Sequence, residues 1–154
     1  MSTVYLETTI PSYLAGRPSR DLVVAAHQQI THEWWREAKT NFDLVISEAV
    51  LEEIRAGDPE MAARRFKIVE DLPVLSLHDG VRGLVRIYLA ELGLPPQAAA
   101  DVVHISFAVA YKLDYLVTWN CKHIANGHVI QRLVEVNRRL GRSTPVILTP
   151  EELC

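Results

Sequence analysis

The chain has 154 residues, of which 49% are hydrophobic and 23% are charged, so it is long enough for one domain with a core and is not disordered. Its net charge of −3 excludes a generally basic nucleic-acid binder, so any such binding must use local basic patches. No apolar run approaches the roughly 18 residues that indicate a transmembrane helix.

Cysteine usage and the N-terminus indicate the compartment. The two cysteines, Cys121 and Cys154, are too few for a disulfide framework. The N-terminus carries no signal-peptide pattern. We therefore expect a cytoplasmic protein in a reducing environment.

The first half of the chain alternates strands with helices. Strands are predicted at residues 3–6, 42–46 and 72–76, and helices at residues 21–39, 47–56, 59–70 and 79–92. Pro11 suits the first turn of a further short helix. Ser47 is a good N-cap, Asp58 followed by Pro59 marks another helix start, and Gly93 fits a helix C-terminus.

The second half is organised around an apolar helix predicted at residues 98–110, opened by a Pro-Pro pair. Only Asp101, His104 and Ser106 are polar in this segment. A helix that is apolar on every side is normally buried in a core. The remaining elements are strands at residues 115–118 and 145–148, a helix at residues 124–140 ended by Gly141, and a capped turn at residues 149–153.

This alternation of strands and helices predicts the fold class. Strands separated by helices favour an α/β domain with a mainly parallel sheet. Short connections fit a three-layer α/β/α sandwich. We therefore expect one domain over residues 1–154 with a five-stranded, mainly parallel sheet.

Four polar residues fall where such a fold would gather a site. Glu7 and Asn120 each follow directly from a predicted strand, and open parallel sheets bind ligands at the carboxyl ends of strands. Glu53 interrupts the apolar side of its helix on a wheel of roughly 100° per residue. Asp101 interrupts the buried helix in the same way. Glu7, Glu53 and Asp101 are thus predicted to point inward.

Inward carboxylates predict a metal. Several of them cannot all stay ionised close together without a counter-charge. A hard divalent cation such as Mg²⁺ or Mn²⁺ prefers oxygen ligands and often keeps several waters. Such an ion activates a bound water and stabilises charge on a phosphate, which favours phosphodiester hydrolysis.

Four motifs also carry a family resemblance. They are Y-L-E-T-T near the start, S-x-x-x-x-x-E-I in the middle, D-x-x-H-I-S-x-A, and D-Y-L-V-T-W-N-C-K-H-I. In this order and spacing the chain resembles the PIN-domain nucleases, and more narrowly the VapC-type toxins of type II toxin–antitoxin systems. The resemblance implies adjacent first and fourth strands and Mg²⁺- or Mn²⁺-dependent endoribonuclease activity on single-stranded RNA.

The resemblance also implies roles for single residues. The acidic ligands would be Glu7, Glu53 and Asp101, with Asn120 at the fourth place and with Glu7 and Asp101 holding the metal. The hydroxyls supporting these ligands would be those of Thr8, Thr9 and Thr118. Expected partners are a cognate antitoxin and a second copy of the chain, docking on the apolar surfaces of the helices at residues 21–39 and 61–70.

Two positions depart from the family pattern. The first acid is usually Asp and here is Glu7, whose extra methylene moves the carboxylate by about one C–C bond length. The fourth position is often Asp and here is Asn120, which lowers the charge of the site by one. Both departures favour an alternative function, a catalytically weak PIN-like module that binds RNA or a protein.

Each candidate residue has a plainer interpretation. Glu7 could face solvent at a loop start, and Glu53 could lie at the rim of its helix. Asp101 could complement a helix dipole, and Asn120 could be a turn or cap residue.

The histidines and basic residues near the motifs also have structural interpretations. We expect His104 to be a hydrogen-bonded core residue and His123 to order the loop after Asn120. The spacing of Cys121, His123 and His128 matches no standard zinc pattern. The local basic clusters are RNA-binding candidates or solvated faces: Arg64, Arg65 and Lys67, and separately Arg138, Arg139 and Arg142.

Overall fold

Five strands form one parallel sheet in the structure, a computed structural model that describes residues 1–153. They are β1 (Thr3–Leu6), β2 (Asp43–Ser47), β3 (Val74–Leu75), β4 (Tyr115–Val117) and β5 (Val146–Leu148). The α-helices of this range are α1 (Thr9–Ala15), α2 (Leu22–Asn41), α3 (Glu48–Ile54), α4 (Pro59–Val69), α5 (Asp79–Glu91), α6 (Ala99–Ala110) and α7 (Gly127–Leu140). The predicted α/β class with a five-stranded parallel sheet is confirmed. Cys154 lies outside the described residues.

The central strand is β1, with β2 and β4 beside it and β3 and β5 at the edges. All four pairs are parallel, and Tyr5 stands in register with Val45 and Leu116. Val4, Tyr5 and Leu6 are buried, as expected for a parallel strand covered on both faces. The expected adjacency of the first and fourth strands is therefore confirmed. Strand order reverses between β1 and β4, and such a switch point is where open parallel sheets bind ligands.

Most helix starts follow the predicted caps. The Asp21 side chain accepts from two amides of α2, the Ser47 hydroxyl accepts from the Val50 amide, and Asp58 caps α4 ahead of Pro59. These side chains satisfy amides that have no partner within the helix. Just beyond the C-terminal end of α5, Gly93 adopts a φ of +69°, which suits a residue without a Cβ.

The start of α7 was predicted too early, at residue 124. The helix begins at Gly127, because the Asn126 side chain accepts from the amides of His128 and Val129 and so caps it. The preceding residues instead fold back, with the amides of Ile124 and Ala125 both donating to a single carbonyl, that of residue 120. The spacing of the apolar residues in this turn also fits a helix, and for this reason the predicted start is too early.

The apolar helix α6 is buried as predicted. Val102 and every residue from His104 to Val109 are buried, and the Ser106 hydroxyl returns to the Val102 carbonyl at 2.7 Å. The Pro-Pro pair opens a short 3-10 turn, Pro96–Ala98, so α6 itself begins at Ala99. Among the described helices, none combines the length and the apolar character needed to cross a membrane.

Candidate active site

The carboxyl ends of β1 and β4 bring Glu7 together with Thr118. The Glu7 amide donates to the Val117 carbonyl at 3.1 Å, which continues the strand pairing past the end of β1. Glu7 Oε1 accepts from Thr118 Oγ1 at 2.6 Å and from both the amide and the hydroxyl of Thr9, at 3.1 and 2.5 Å. Glu7 is only 4% exposed, so the interpretation in which it faces solvent is wrong. Three donors fix one oxygen of this carboxylate, and none of these bonds uses Oε2.

Asp101 lies in the first turn of α6 and forms a closed ring with Asn120 and His123. Asn120 Nδ2 donates to Asp101 Oδ1 at 2.9 Å, and Asn120 Oδ1 accepts from the His123 amide at 3.0 Å. His123 Nδ1 lies 2.9 Å from Asp101 Oδ2. Because a carboxylate only accepts, the nitrogen of the Asn120 amide has to face Asp101. His123 thus orders the loop as predicted and, in addition, contacts the carboxylate.

Thr118 connects the two carboxylates. Its Oγ1 donates to Glu7 and accepts from the backbone amide of Asn120 at 2.9 Å. Glu7 and Asp101 are therefore linked through two intervening residues, Thr118 and Asn120. Asn120 does act as a turn residue, but its side chain also holds Asp101.

The ring of Trp119 anchors the loop that carries Asn120. It stacks on His27 with ring centroids 4.0 Å apart and, on a wider spacing of 6.1 Å, on Tyr13. Trp119 Nε1 donates to Thr31 Oγ1 at 2.7 Å. Helices α1 and α2 thereby fix the backbone beside the candidate site.

Glu53 is held at the rim of this region by Thr8 and His104. Thr8 Oγ1 donates to Glu53 Oε1 at 2.7 Å, and His104 Nε2 contacts the same oxygen. The Glu53 side chain is 39% exposed, so the prediction that it lies within the buried stripe of α3 is wrong. Val50 and Ile54 are the fully buried positions of that helix. Glu53 therefore lies at the edge of the buried face of α3 and not within it, and two partners hold its carboxylate there.

Electrostatic effects connect Glu53, Glu7 and the buried Tyr5. Burial raises the pKa of the Glu53 carboxyl, but the hydrogen bond and charge of His104 and the bond from Thr8 bring that pKa below its ordinary value. Burial raises the pKa of the Tyr5 hydroxyl well above its ordinary value, the bond with Ser47 opposes this, and the charges of Glu7 and Glu53 add to it. Both carboxylates are therefore close enough to act on one buried hydroxyl.

The donor atoms suit Mg²⁺ or Mn²⁺, but the carboxylates do not form one ligand set. Within residues 1–153, no group of three His, Cys, Asp or Glu side chains is arranged to hold a metal ion. Glu7, Glu53 and Asp101 each have protein donors, so a cation is not required to compensate their burial. Mg²⁺ in proteins is often held by one or two carboxylates and several waters. The residues fit an ion bound in that way.

In each of the two basic clusters one arginine side chain is bound to another part of the protein. Arg65 donates to the carbonyls of Ile54 and Ala56 at 2.7–3.1 Å and so caps the end of α3. Arg139 pairs with Glu91 at 2.8 Å. The other members, Arg64, Lys67, Arg138 and Arg142, are exposed. RNA contact by either cluster stays a prediction.

The sequence did not reveal the partners of the carboxylates. Tyr5 was assigned only to a strand, Ser47 only to a cap and His104 only to the core, yet all three belong to one hydrogen-bonded chain that ends on Glu53. The continuous apolar run of β1 could have indicated Tyr5, because a tyrosine in a strand buried on both faces needs a partner for its hydroxyl. Its partner His104 lies on α6, far away in the sequence, and no local pattern indicates that the two meet.

Comparison with known proteins supports the fold. No protein-family model matches the chain, and no curated protein is similar to it in sequence. Among solved structures it is similar to one described as VapBC2 from Rickettsia felis bound to a DNA fragment from their promoter. The TM-score is 0.60 at 16% identity, covering 96% of this chain and 98% of that chain. The similarity therefore extends over the whole α/β fold.

Proposed function

We propose that the protein is a PIN-type endoribonuclease that cleaves single-stranded RNA with the help of Mg²⁺ or Mn²⁺. The observation that carries the proposal is the link from Glu7 through Thr118 and Asn120 to Asp101. This link lies at the switch point of a sheet whose fold is similar to that of a VapBC2 structure. Parallel sheets place their ligands at this point.

The residues of the site have distinct tasks in this proposal. Glu7 and Asp101 would hold the ion, which supplies an activated water and stabilises charge on the scissile phosphate. Thr9 and Thr118 keep Glu7 in place, and the ring with Asn120 and His123 keeps Asp101 in place. The bonds from His104 and Thr8 lower the pKa of Glu53, so its carboxylate keeps a negative charge at the rim and would contact the ion directly or through water.

We further propose that the protein is a toxin that binds a cognate antitoxin and forms homodimers. The helices expected to carry these surfaces do expose apolar side chains: Leu22 and Val23 at the start of α2 are 86% and 64% exposed, and Phe66 on α4 is 42% exposed. Exposed apolar clusters are typical of interaction surfaces. Light scattering at high concentration that showed only monomer would contradict the dimer.

A second candidate function is a binding module that retains the fold without efficient cleavage. Two observations favour it: Asn120 supplies an amide where a fourth carboxylate is expected, and no three metal-binding side chains converge within residues 1–153. Such a module would bind single-stranded RNA with unchanged affinity whether or not Mn²⁺ is present. It would not cleave the RNA.

The test compares wild type with Asp101→Asn. Asn keeps the size of the side chain but removes the charge, so we expect loss of Mn²⁺ binding in calorimetry and loss of RNA cleavage. The control is Asp79→Asn, which removes an exposed carboxylate that pairs with Arg82 on α5. Full cleavage by Asp101→Asn would refute the site. Absence of Mn²⁺ binding in wild type would leave the binding module as the better function.

A further inference from the structure

A hydrogen-bonded chain of buried side chains runs through the core and ends on Glu53. Ser47 Oγ lies 2.8 Å from the Tyr5 hydroxyl, which lies 2.6 Å from His104 Nδ1. His104 Nε2 then contacts Glu53 Oε1. Ser47 and Tyr5 are fully buried and His104 is 1% exposed. This hydrogen-bonded chain of side chains therefore joins β1, β2 and α6 to the rim of the candidate site.

The direction of the hydrogen bonds follows from the Glu53 carboxylate, which can only accept, so His104 Nε2 carries a proton. In neutral His104, Nδ1 accepts from the Tyr5 hydroxyl, whose oxygen in turn accepts from Ser47. In cationic His104, Nδ1 donates to Tyr5, and Tyr5 donates to Ser47. The neutral arrangement gives every hydrogen of the three side chains an acceptor, while Ser47 Oγ also accepts from the Val50 amide. Among the described residues, the one buried side-chain N or O atom without a partner is Trp34 Nε1, outside this chain.

Stability alone does not explain this chain of polar groups. A Phe at position 5 and an aliphatic residue at position 104 would fill similar space without placing polar atoms in the core. Buried polar networks are often no more stable than apolar packing of the same volume. What the polar version provides is a fixed location for the group at its end, and that group is the carboxylate of Glu53.

Glu53 needs such support because it is partly exposed. A glutamate on a short surface helix samples several rotamers in water, and ordering it has an entropic cost. Here Oε1 is held from the core by His104 and also by Thr8, which follows Glu7 in the sequence and precedes α1. Neither of these two bonds uses Oε2.

We propose that Tyr5 and His104 are positioning residues that hold the Glu53 carboxylate in place for phosphodiester cleavage. The proposal rests on the proposed function, because Glu53 matters to it only as part of that site. Tyr5 acts through His104, and His104 acts through Glu53. Neither contacts the RNA.

The first test uses two buried tyrosines of this protein. Tyr5→Phe removes the hydroxyl bonded to His104, whereas Tyr88→Phe removes one bonded to Asn137, and both tyrosines are fully buried. We expect Tyr5→Phe to lower the kcat of Mn²⁺-dependent RNA cleavage about 10- to 100-fold, as for a displaced catalytic group, with KM nearly unchanged. Tyr88→Phe is expected to leave kcat unchanged. Equal kcat values for the two variants would overturn the proposal.

The second test asks for rescue at His104. His104→Gln retains an N–H near the position of Nε2, whereas His104→Leu removes it. We expect the Gln variant to keep at least tenfold more kcat than the Leu variant at similar thermal stability. Equal losses in the two variants would indicate a role in packing only.

A third measurement does not depend on activity. The side-chain mobility of Glu53 is measured by ¹³C relaxation in metal-free protein. We expect Glu53 to be rigid in wild type and Tyr88→Phe and mobile in His104→Leu and Tyr5→Phe. Unchanged mobility would overturn the positioning role even if the wild type cleaves no RNA. Increased mobility with unchanged cleavage would overturn the role of Glu53 in the reaction.

Discussion

Replacing Asn120 by Asp tests the most specific feature of the site. The side-chain nitrogen Nδ2 of Asn120 donates to Asp101 Oδ1 at 2.9 Å, so the substitution sets two carboxylate oxygens against each other. With charge centres about 4 Å apart and an effective dielectric constant near 20, the repulsion is about 4 kcal/mol. One carboxyl relieves part of it by taking up a proton. We therefore expect a loss of about 2–4 kcal/mol in unfolding free energy at pH 7, or about 5–15 °C in Tm.

The pH dependence has a definite sign. In Asn120→Asp, repulsion raises the pKa of one carboxyl in the folded protein above its value in the unfolded chain, about 3.9. The folded state then binds a proton that the unfolded state releases, so stability falls as pH rises through this range. The difference from wild type is expected to vanish at about pH 4 and to be full only above the raised pKa.

Mn²⁺ is expected to reverse the loss. A cation between the two carboxylates replaces repulsion with attraction, and a ligand at 100 times its Kd adds about 2.7 kcal/mol. Thermal unfolding with and without Mn²⁺ measures both effects. The matched control is Asn126→Asp, which adds the same charge to the same loop. It keeps the oxygen that caps α7 and loses one long, exposed bond, from the side-chain nitrogen to the Cys121 carbonyl at 3.3 Å.

Two results would refute this reasoning. An unchanged Tm of metal-free Asn120→Asp at pH 7 would mean that Asn120 and Asp101 are not in contact. A lowered Tm that Mn²⁺ does not restore would keep the contact but refute metal binding by Asp101.

Three further predictions concern the surroundings of the site. Thr118→Val removes the hydroxyl that links Glu7 to the backbone amide of Asn120, and we expect the kcat of RNA cleavage to fall about tenfold. The control Thr40→Val changes an exposed position of α2 and should leave kcat unchanged. Arg65→Ala removes the cap of α3, so we expect a loss of about 1–3 kcal/mol in unfolding free energy with no specific loss of RNA affinity; a loss of affinity at unchanged stability would contradict the capping role. Burial raises the pKa of Tyr88 to about 12, so its ionisation favours the unfolded chain above about pH 10. Wild type should therefore lose stability more steeply than Tyr88→Phe between pH 10 and pH 12, which urea titrations at several pH values can measure.

The sequence predicted the fold better than it predicted the contacts of the site. Strand β1, the Ser47 and Asp58 caps and buried α6 all follow from local patterns and match the structure. The start of α7 was missed because Asn126 caps the helix within a stretch that also fits helical spacing. Local patterns are informative where the interactions are local, and caps, alternation and apolar runs are of this kind.

The contacts of the carboxylates could not be predicted, because they join residues far apart in the chain. Tyr5 meets His104 across 99 positions, and Thr118 meets Glu7 across 111. In the sequence alone the inward carboxylates are charges without visible partners, and such charges predict a cation. In the structure they have partners that neighbouring elements supply.

These partners change what metal binding means for this protein. A site whose carboxylates repel one another without an ion is stabilised strongly when the ion binds, whereas here neutral donors already satisfy Glu7 and Asp101. In wild type an ion would have to compete with these donors, so we expect it to bind less tightly and to stabilise the folded state less at the same Mn²⁺ concentration. Wild type should accordingly gain less Tm from a given Mn²⁺ concentration than Asn120→Asp does. A larger gain in wild type would mean that its carboxylates are not satisfied by the donors around them.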